Sequence, residues 1–340
     1  MDPLRRILVT AAPGAAVAVG GAALTRALVR RAERRYPRPG GAVTVDGVEL
    51  RYTSAGTGRP VVLVHGLLGS TYDYDALTAQ LSARYRVIAF DRPGNGYSTA
   101  PPGEGHTPIG QAYLLHEAIR RLGIERPLVV GYSLGAAVAV AWAELYPDDV
   151  AAVVTVGGHV MPYRLPVARL ARLLRVPLLG RLVAGTLLVP VAYPVGYELL
   201  ALACSPQALP RAYAGPVLAV ALRPGPFRHA AEDLERAAAD LRILAGGYRD
   251  LAVPFVVVVG AYDRIAPPAE SEAFHRRLRH SRLIVVGDGG HALHVTHAPA
   301  IAAAVEAAWS MAGREDDASA ACGHADAGPG EEEAASAASA

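Results

Sequence analysis

Val129-Val130-Gly131-Tyr132-Ser133-Leu134-Gly135-Ala136-Ala137 is the stretch whose reading decides the fold. An apolar run enters a G-x-S-x-G pattern and leaves through Ala-rich residues that favour a helix, so strand, sharp turn and helix meet at one serine. Such a turn strains the backbone at Ser133. Glycines two residues to either side remove the Cβ atoms that would collide where strand and helix come so close. The pattern is a nucleophile elbow, and it would leave Ser133 projecting alone into a cleft.

Outward from the elbow, uninterrupted apolar runs recur at 61–64, 87–90, 128–130, 150–156, 255–259 and 283–286. Strands without polar alternation are buried on both faces, which predicts a parallel sheet covered by helices. Helices are predicted over 71–83, 110–122, 134–145, 268–278 and 298–311. The alternation of strand and helix gives a doubly wound α/β domain. Ahead of it, 42–45 and 48–53 alternate around Asp46-Gly47, a hairpin signal. About a hundred residues from 157 onward carry no strand pattern and read as a helical insertion.

A serine hydroxyl is a poor nucleophile at neutral pH, so an active Ser133 needs a base within hydrogen-bonding reach and a third group to orient that base. Asp263 stands on the loop just past the 255–259 run, in Gly260-Ala261-Tyr262-Asp263. His291 stands just past the 283–286 run, in Gly287-Asp288-Gly289-Gly290-His291. Catalytic groups in such sheets gather at the carboxyl ends of the strands. His294 and His297 fall at or inside the start of the last helix and read as supporting or surface residues. Asp288 could replace Asp263 only by folding back across its own turn. An oxyanion needs preorganised donors. Leu134 N–H follows the nucleophile directly, and His65-Gly66-Leu67-Leu68-Gly69 can turn tightly enough to aim Leu67 N–H inward. His65 itself reads as structural.

His65-Gly66-x-x-Gly69, Asp91-Arg92-Pro93-Gly94-x-Gly96-x-Ser98, Gly131-x-Ser133-x-Gly135, Gly260-x-x-Asp263-x-x-x-Pro267 and Gly290-His291 together resemble the α/β-hydrolase fold superfamily, in its Ser-nucleophile esterase/lipase-like branch. The resemblance covers residues 42–311. It implies a mostly parallel sheet with helices on both faces and a helical cap insertion. It also implies a triad of Ser133, Asp263 and His291, met in that order along the chain, with Leu67 and Leu134 as oxyanion donors. The Asp91 loop looks like the family's tight turn after its fourth strand. Epoxide hydrolases and haloalkane dehalogenases carry Asp at the elbow, where this chain has Ser133. Carbon–carbon bond hydrolases often follow the histidine with Trp, where Ala292 stands. Proline iminopeptidases place another glycine and a proline where Leu67-Leu68 stand.

The expectation is therefore a hydrolase acting on carboxylic, lipophilic esters through an acyl-enzyme. Its substrate is a small molecule, it needs no cofactor, and no metal ligands are assigned. The rivals are other cofactor-free chemistry on this fold (perhydrolase, lyase, acyltransferase or carbon–carbon hydrolase) and a non-catalytic binding protein. Net charge is only +2 over 340 residues, which gives no reason to expect nucleic acid. Cys204 and Cys322 make no framework and are given no role.

The ends of the chain read differently. Arg5-Arg6 precede an uncharged run over 7–25, and Arg26, Arg30, Arg31, Arg34, Arg35 and Arg38 follow it. As a helix that run spans roughly 28 Å, enough for a hydrocarbon core. Residues 1–35 compete as membrane anchor, export signal or surface helix. The arginines favour a single-pass anchor with the catalytic domain on the cytoplasmic side. Residues 36–41 form a linker, 42–156 and 251–312 the two parts of the hydrolase core, 157–250 the cap, and 313–340 a disordered tail. Within the cap, Arg169, Arg172 and Arg175 alternate with leucines as an amphipathic lid helix would.

Overall fold

The computed structural model describes residues 3–38, 40–101, 106–162, 185–186 and 189–325. Along the chain lie α1 (Pro3–Arg35), β1 (Gly41–Val45), β2 (Val48–Ala55), β3 (Arg59–Val64), α2 (Asp75–Leu81), β4 (Tyr85–Phe90), α3 (Pro108–Arg121), β5 (Leu128–Tyr132), α4 (Leu134–Leu145) and β6 (Ala152–Val156). They continue as α5 (Val189–Cys204), α6 (Arg211–Ala221), α7 (Pro224–Gly247), β7 (Phe255–Gly260), α8 (Pro268–His275), β8 (Ser281–Val286), α9 (Leu293–Thr296) and α10 (Ala298–Ala325).

The strands form one eight-stranded sheet in the order β1-β2-β4-β3-β5-β6-β7-β8. β1 pairs antiparallel with β2, and β2 with β4; every pairing from β4 to β8 is parallel. The opening hairpin turns through two consecutive left-handed residues, Asp46 at φ 48° and Gly47 at φ 80°. That is the type I′ geometry whose twist matches its strands. The apolar runs are unbroken because each strand feeds two cores. Val62 and Val64 of β3 and Val129 of β5 join α3 and α4 on one face. Val61, Leu63, Leu128 and Val130 join α2 and α10 on the other. The expected α/β-hydrolase architecture is therefore present, with α5, α6 and α7 inserted between β6 and β7.

Three expectations fare differently. Among the described residues no helix is long and apolar enough to cross a membrane. This overturns the single-pass anchor over 7–25, together with the membrane association and the cytoplasmic placement that rested on it. The physical reason is composition and docking. Ala and Gly fill much of the run, so its apolarity rests on a handful of Val, Leu and Ile, and α1 continues as one helix into the arginines. Its second half packs on the chain's own α5 and α6. Thr25 is buried and donates through Oγ1 to Thr186 O at 3.2 Å, Glu33 pairs with Arg223 at 3.4 Å, and the Tyr36 carbonyl accepts from the Tyr97 hydroxyl.

The last helix runs on to Ala325, so 313–325 are helical where a disordered tail is predicted. Alanine has the highest helix propensity and carries the helix past Gly313. The remaining residues, 326–340, lie outside the described ones, as do Arg169, Arg172 and Arg175 of the expected lid helix.

Candidate active site

Ser133 sits between β5 and α4 at φ 51°, ψ −120°, a conformation that side chains other than glycine rarely adopt. Its N–H donates to Val156 O at 2.9 Å, and its carbonyl accepts from Ala136 N at 3.0 Å and His159 N at 3.1 Å. Those bonds hold the strained residue in place. The flanking glycines are steric necessities. A Cβ at Gly131 would lie 2.5 Å from Gly135 O, and one at Gly135 would lie 2.2 Å from Val64 O. The N-terminus of α4 thus rides directly on the carboxyl end of β3, which brings the loop after β3 to the serine.

Two other loops converge there. His291, on the loop after β8, has Nε2 3.0 Å from Ser133 Oγ and Nδ1 2.8 Å from Asp263 Oδ2. Asp263 follows β7, and its Oδ1 accepts backbone N–H bonds from Ile265 at 2.9 Å and Ala266 at 2.8 Å. Both carboxylate oxygens are therefore engaged, and the Asp263 and His291 side chains are almost wholly shielded from water. Asp288 is highly exposed and meets a different ring, with Oδ1 3.1 Å from His297 Nε2. The structure so brings together the three residues singled out from the sequence and sets Asp288 apart.

The loop after β3 turns through a Gly69 N–H bond to Gly66 O at 3.3 Å, with Leu68 at φ 57°. A Cβ at Gly66 would lie 3.0 Å from Ser133 Cβ, so Leu67, the next residue, is held beside the serine. Leu134 opens α4, where the first N–H groups have no intrahelical acceptor. His65 braces this loop. Its Nε2 accepts from Arg92 N at 2.8 Å, which leaves the proton on Nδ1 to donate to Gly66 O at 2.8 Å. Burial, and secondly the Arg92 charge, hold its pKa well below the usual range, so the ring stays neutral.

Arg92 belongs to the tight turn after β4, but its side chain does more. The guanidinium is fully buried and donates to His65 O (2.9 Å), Gly66 O (3.0 Å), Gln111 Oε1 (2.6 Å) and Asp233 Oδ2 (3.1 Å). Asp233, on α7 of the insertion, also accepts from Asn95 Nδ2 at 3.1 Å and Gln111 Nε2 at 3.2 Å. Burial pushes its carboxyl up, while Arg92 and Asn95 oppose the shift. One arginine therefore ties an insertion helix to the two carbonyls that precede Leu67. No local signal marks Asp233, because its partner lies 141 residues away in sequence.

His294, read as a supporting or surface residue, is fully buried, its ring 4.0 Å from that of Tyr132. Burial, reinforced by His291, pushes it down to about 3, so it is neutral. Tyr132 in turn lies 5.1 Å from the His291 ring. Sequence spacing assigns no metal ligands. Among the described residues one set of potential ligand atoms gathers in space, within 4.8 Å of one another, on His106, His229 and Glu232, and it shares no member with the serine, histidine and aspartate.

A family profile described as the alpha/beta hydrolase fold matches residues 59–298. The chain belongs to this family. Among curated proteins, the pimeloyl-[acyl-carrier protein] methyl ester esterase of Neisseria meningitidis serogroup A is 30% identical over 260 residues, covering 72% of this chain and 75% of its own. Among solved structures, a thermophilic esterase from Thermogutta terrifontis superposes with a TM-score of 0.60 at 24% identity, over 80% of this chain and 99% of its own. A meta-cleavage product hydrolase from Pseudomonas fluorescens IP01 superposes with a TM-score of 0.66 at 20% identity, over 80% and 98%. At those identities the two structures speak to the fold.

Asp233→Ala strands the buried guanidinium of this hydrolase without its counter-charge. The variant should lose on the order of 3–5 kcal/mol in urea denaturation. An unchanged midpoint would show that Arg92 does not depend on Asp233.

Proposed function

We propose that this hydrolase cleaves small-molecule carboxylic esters of apolar acids by acyl transfer through Ser133. The observation that carries the reading is the chain of two hydrogen-bonding contacts, Ser133 Oγ to His291 Nε2 at 3.0 Å and His291 Nδ1 to Asp263 Oδ2 at 2.8 Å. An ionised Asp263 can only accept, so it selects the tautomer with the proton on Nδ1 and leaves the Nε2 lone pair facing the serine. His291 then takes the Ser133 proton as Oγ attacks the ester carbonyl carbon, and the carbonyl π pair moves onto oxygen. Leu67 N–H and Leu134 N–H receive that oxyanion. When the tetrahedral intermediate collapses, His291 returns the proton to the departing alkoxide and the acyl group stays on Ser133. Water, deprotonated by the same imidazole, repeats the sequence and releases the acid. Each proton moves between groups of the chain and the substrate, so no cofactor enters the scheme.

Support for an apolar acyl group comes from the surroundings of the two loops. Ala203, Cys204, Tyr213 and Val217 of the insertion cluster with Ala292, next to His291, and with Ile265, two residues past Asp263. Ala292 N donates to Ala203 O at 2.8 Å, so α5 ends against the histidine loop. Along α5, Val195, Tyr197 and Leu199 keep much of their surface uncovered. The general relation to ester-cleaving relatives agrees with this reading.

Ser133→Ala should lower kcat for ester hydrolysis by on the order of 10⁶ with the fold intact by circular dichroism, and Asp263→Asn by on the order of 10⁴ through the wrong tautomer. Substantial turnover in purified Ser133→Ala would remove the nucleophile from the scheme. For the acyl group, kcat/KM should climb from acetyl to octanoyl p-nitrophenyl esters, by up to about fourfold per methylene where burial is complete, since each buried CH₂ contributes roughly 0.8 kcal/mol. A flat or falling series would show a small acyl site.

A further inference from the structure

His106 lies two residues before α3, on a segment of the hydrolase core whose next residue, Thr107, caps that helix by accepting Gly110 N at 3.0 Å. His229 and Glu232 stand three apart on α7 and so share one face of the inserted helix. The fold brings the three side chains to one point. His106 Nε2 is 3.4 Å and His229 Nδ1 is 3.8 Å from the same oxygen, Glu232 Oε2. All the donor atoms of the set lie within 4.8 Å of one another. The two imidazoles are stacked, 5.0 Å apart at 14°, so one ring must turn out of the stack before both in-plane lone pairs meet at one point. Of the nitrogens that face this point, His229 Nδ1 is buried without a hydrogen-bond partner, an arrangement that costs free energy in a folded interior.

We propose that His106, His229 and Glu232 form a binding site for a divalent transition-metal ion of the zinc class. A tetrahedral ion with bonds of about 2.0–2.1 Å holds its ligand atoms roughly 3.3 Å apart. The two separations from Glu232 Oε2 exceed that by up to about half an ångström, and a turn of one imidazole about its side-chain bonds would close the set around an ion. Two imidazoles and one carboxylate suit zinc, cobalt or nickel and disfavour magnesium and calcium, which take all-oxygen shells. Three protein ligands leave a fourth position. His229 and Glu232 are about one-fifth exposed, against 8% for His106.

The location gives the ion a task. One ligand belongs to the core and two to the insertion, so binding pins α7 across the boundary between them. A Cβ at Gly94 would lie 3.0 Å from His229 Cγ, which places the imidazole against the loop that carries Arg92. Glu232 is followed directly by Asp233, the partner of Arg92. An ion here would brace the same junction that supports the Gly66–Leu67 turn, and a ligand of the native state alone raises stability.

The test is calorimetric titration of the chelator-dialysed full chain with Zn²⁺ alone, paired with thermal melts at saturating Zn²⁺ and with Mg²⁺ as the hard-ion comparison. The expected result is one high-affinity Zn²⁺ per chain, a raised Tm, and no response to Mg²⁺. His229→Ala and the near-isosteric Glu232→Gln should each weaken binding by roughly 100-fold, since even residues behind metal ligands change affinity about 10–100-fold. Absence of Zn²⁺ binding to the wild-type chain would overturn the proposal. So would affinity and stoichiometry unchanged in both variants, because the ion would then sit elsewhere.

Discussion

The structure depends on one close approach. The first turn of α4 rests on the carboxyl end of β3 with no room for a side chain, and a Cβ at Gly135 would be 2.2 Å from Val64 O. Because the helix must start there, the chain has a single residue in which to turn from β5 into α4, and that residue, Ser133, takes φ 51°. Strain of this kind costs of order 1–3 kcal/mol and persists only where the surroundings enforce it. Here they do so through β6, whose Val156 carbonyl takes the Ser133 N–H, and through two fully apolar cores. The same approach brings the loop after β3, whose Gly66 lies against Ser133, beside the first turn of α4. Nucleophile and oxyanion donors are thus consequences of one packing contact in the account proposed above.

The site is also coupled to the insertion by buried charge. Arg92 and Asp233 have almost no access to water, and each has its hydrogen-bonding capacity largely filled by neighbours. Such a pair adds little net stability compared with apolar packing, yet removing one member is expensive. The consequence is geometric. The helix that carries Asp233 cannot shift far without exposing a charge or disturbing the His65 and Gly66 carbonyls. The His106, His229 and Glu232 cluster lies at the same junction, one residue along α7, so two independent polar contacts hold insertion and core together where the turn beside Ser133 begins.

What could be read from the sequence was what is encoded locally. The elbow is legible because its glycines are required by contacts within five residues and by the strand beside them. The hairpin is legible because Asp46-Gly47 suits consecutive left-handed conformations. The strands are legible because burial on both faces removes polar alternation. Asp263 and His291 were legible by position, each just past an apolar run. Arg92–Asp233 and His106–His229–Glu232 were not, since each joins residues more than a hundred positions apart and neither partner carries a spacing signal. The run over 7–25 misled because an uncharged stretch rich in Ala and Gly resembles a span in charge but not in apolarity. Its continuation docks on α5 and α6, a tertiary fact no window of sequence holds. For His294 the packing decides between the two alternatives, a supporting residue and a surface one, in favour of the first. A histidine at the start of a helix is usually solvated, and only the packing of Tyr74, Tyr132 and Tyr213 around it makes it a core residue.

The central claim is that Ser133 Oγ is activated by its contact with His291, and covalent trapping tests it most directly. The native protein would be treated with a fluorophosphonate and the site of modification mapped by peptide mass spectrometry, alongside His291→Ala. The account predicts one adduct per chain on Ser133 and a rate of labelling that collapses in His291→Ala. No adduct, an adduct on another residue, or equally fast labelling of the variant would contradict it.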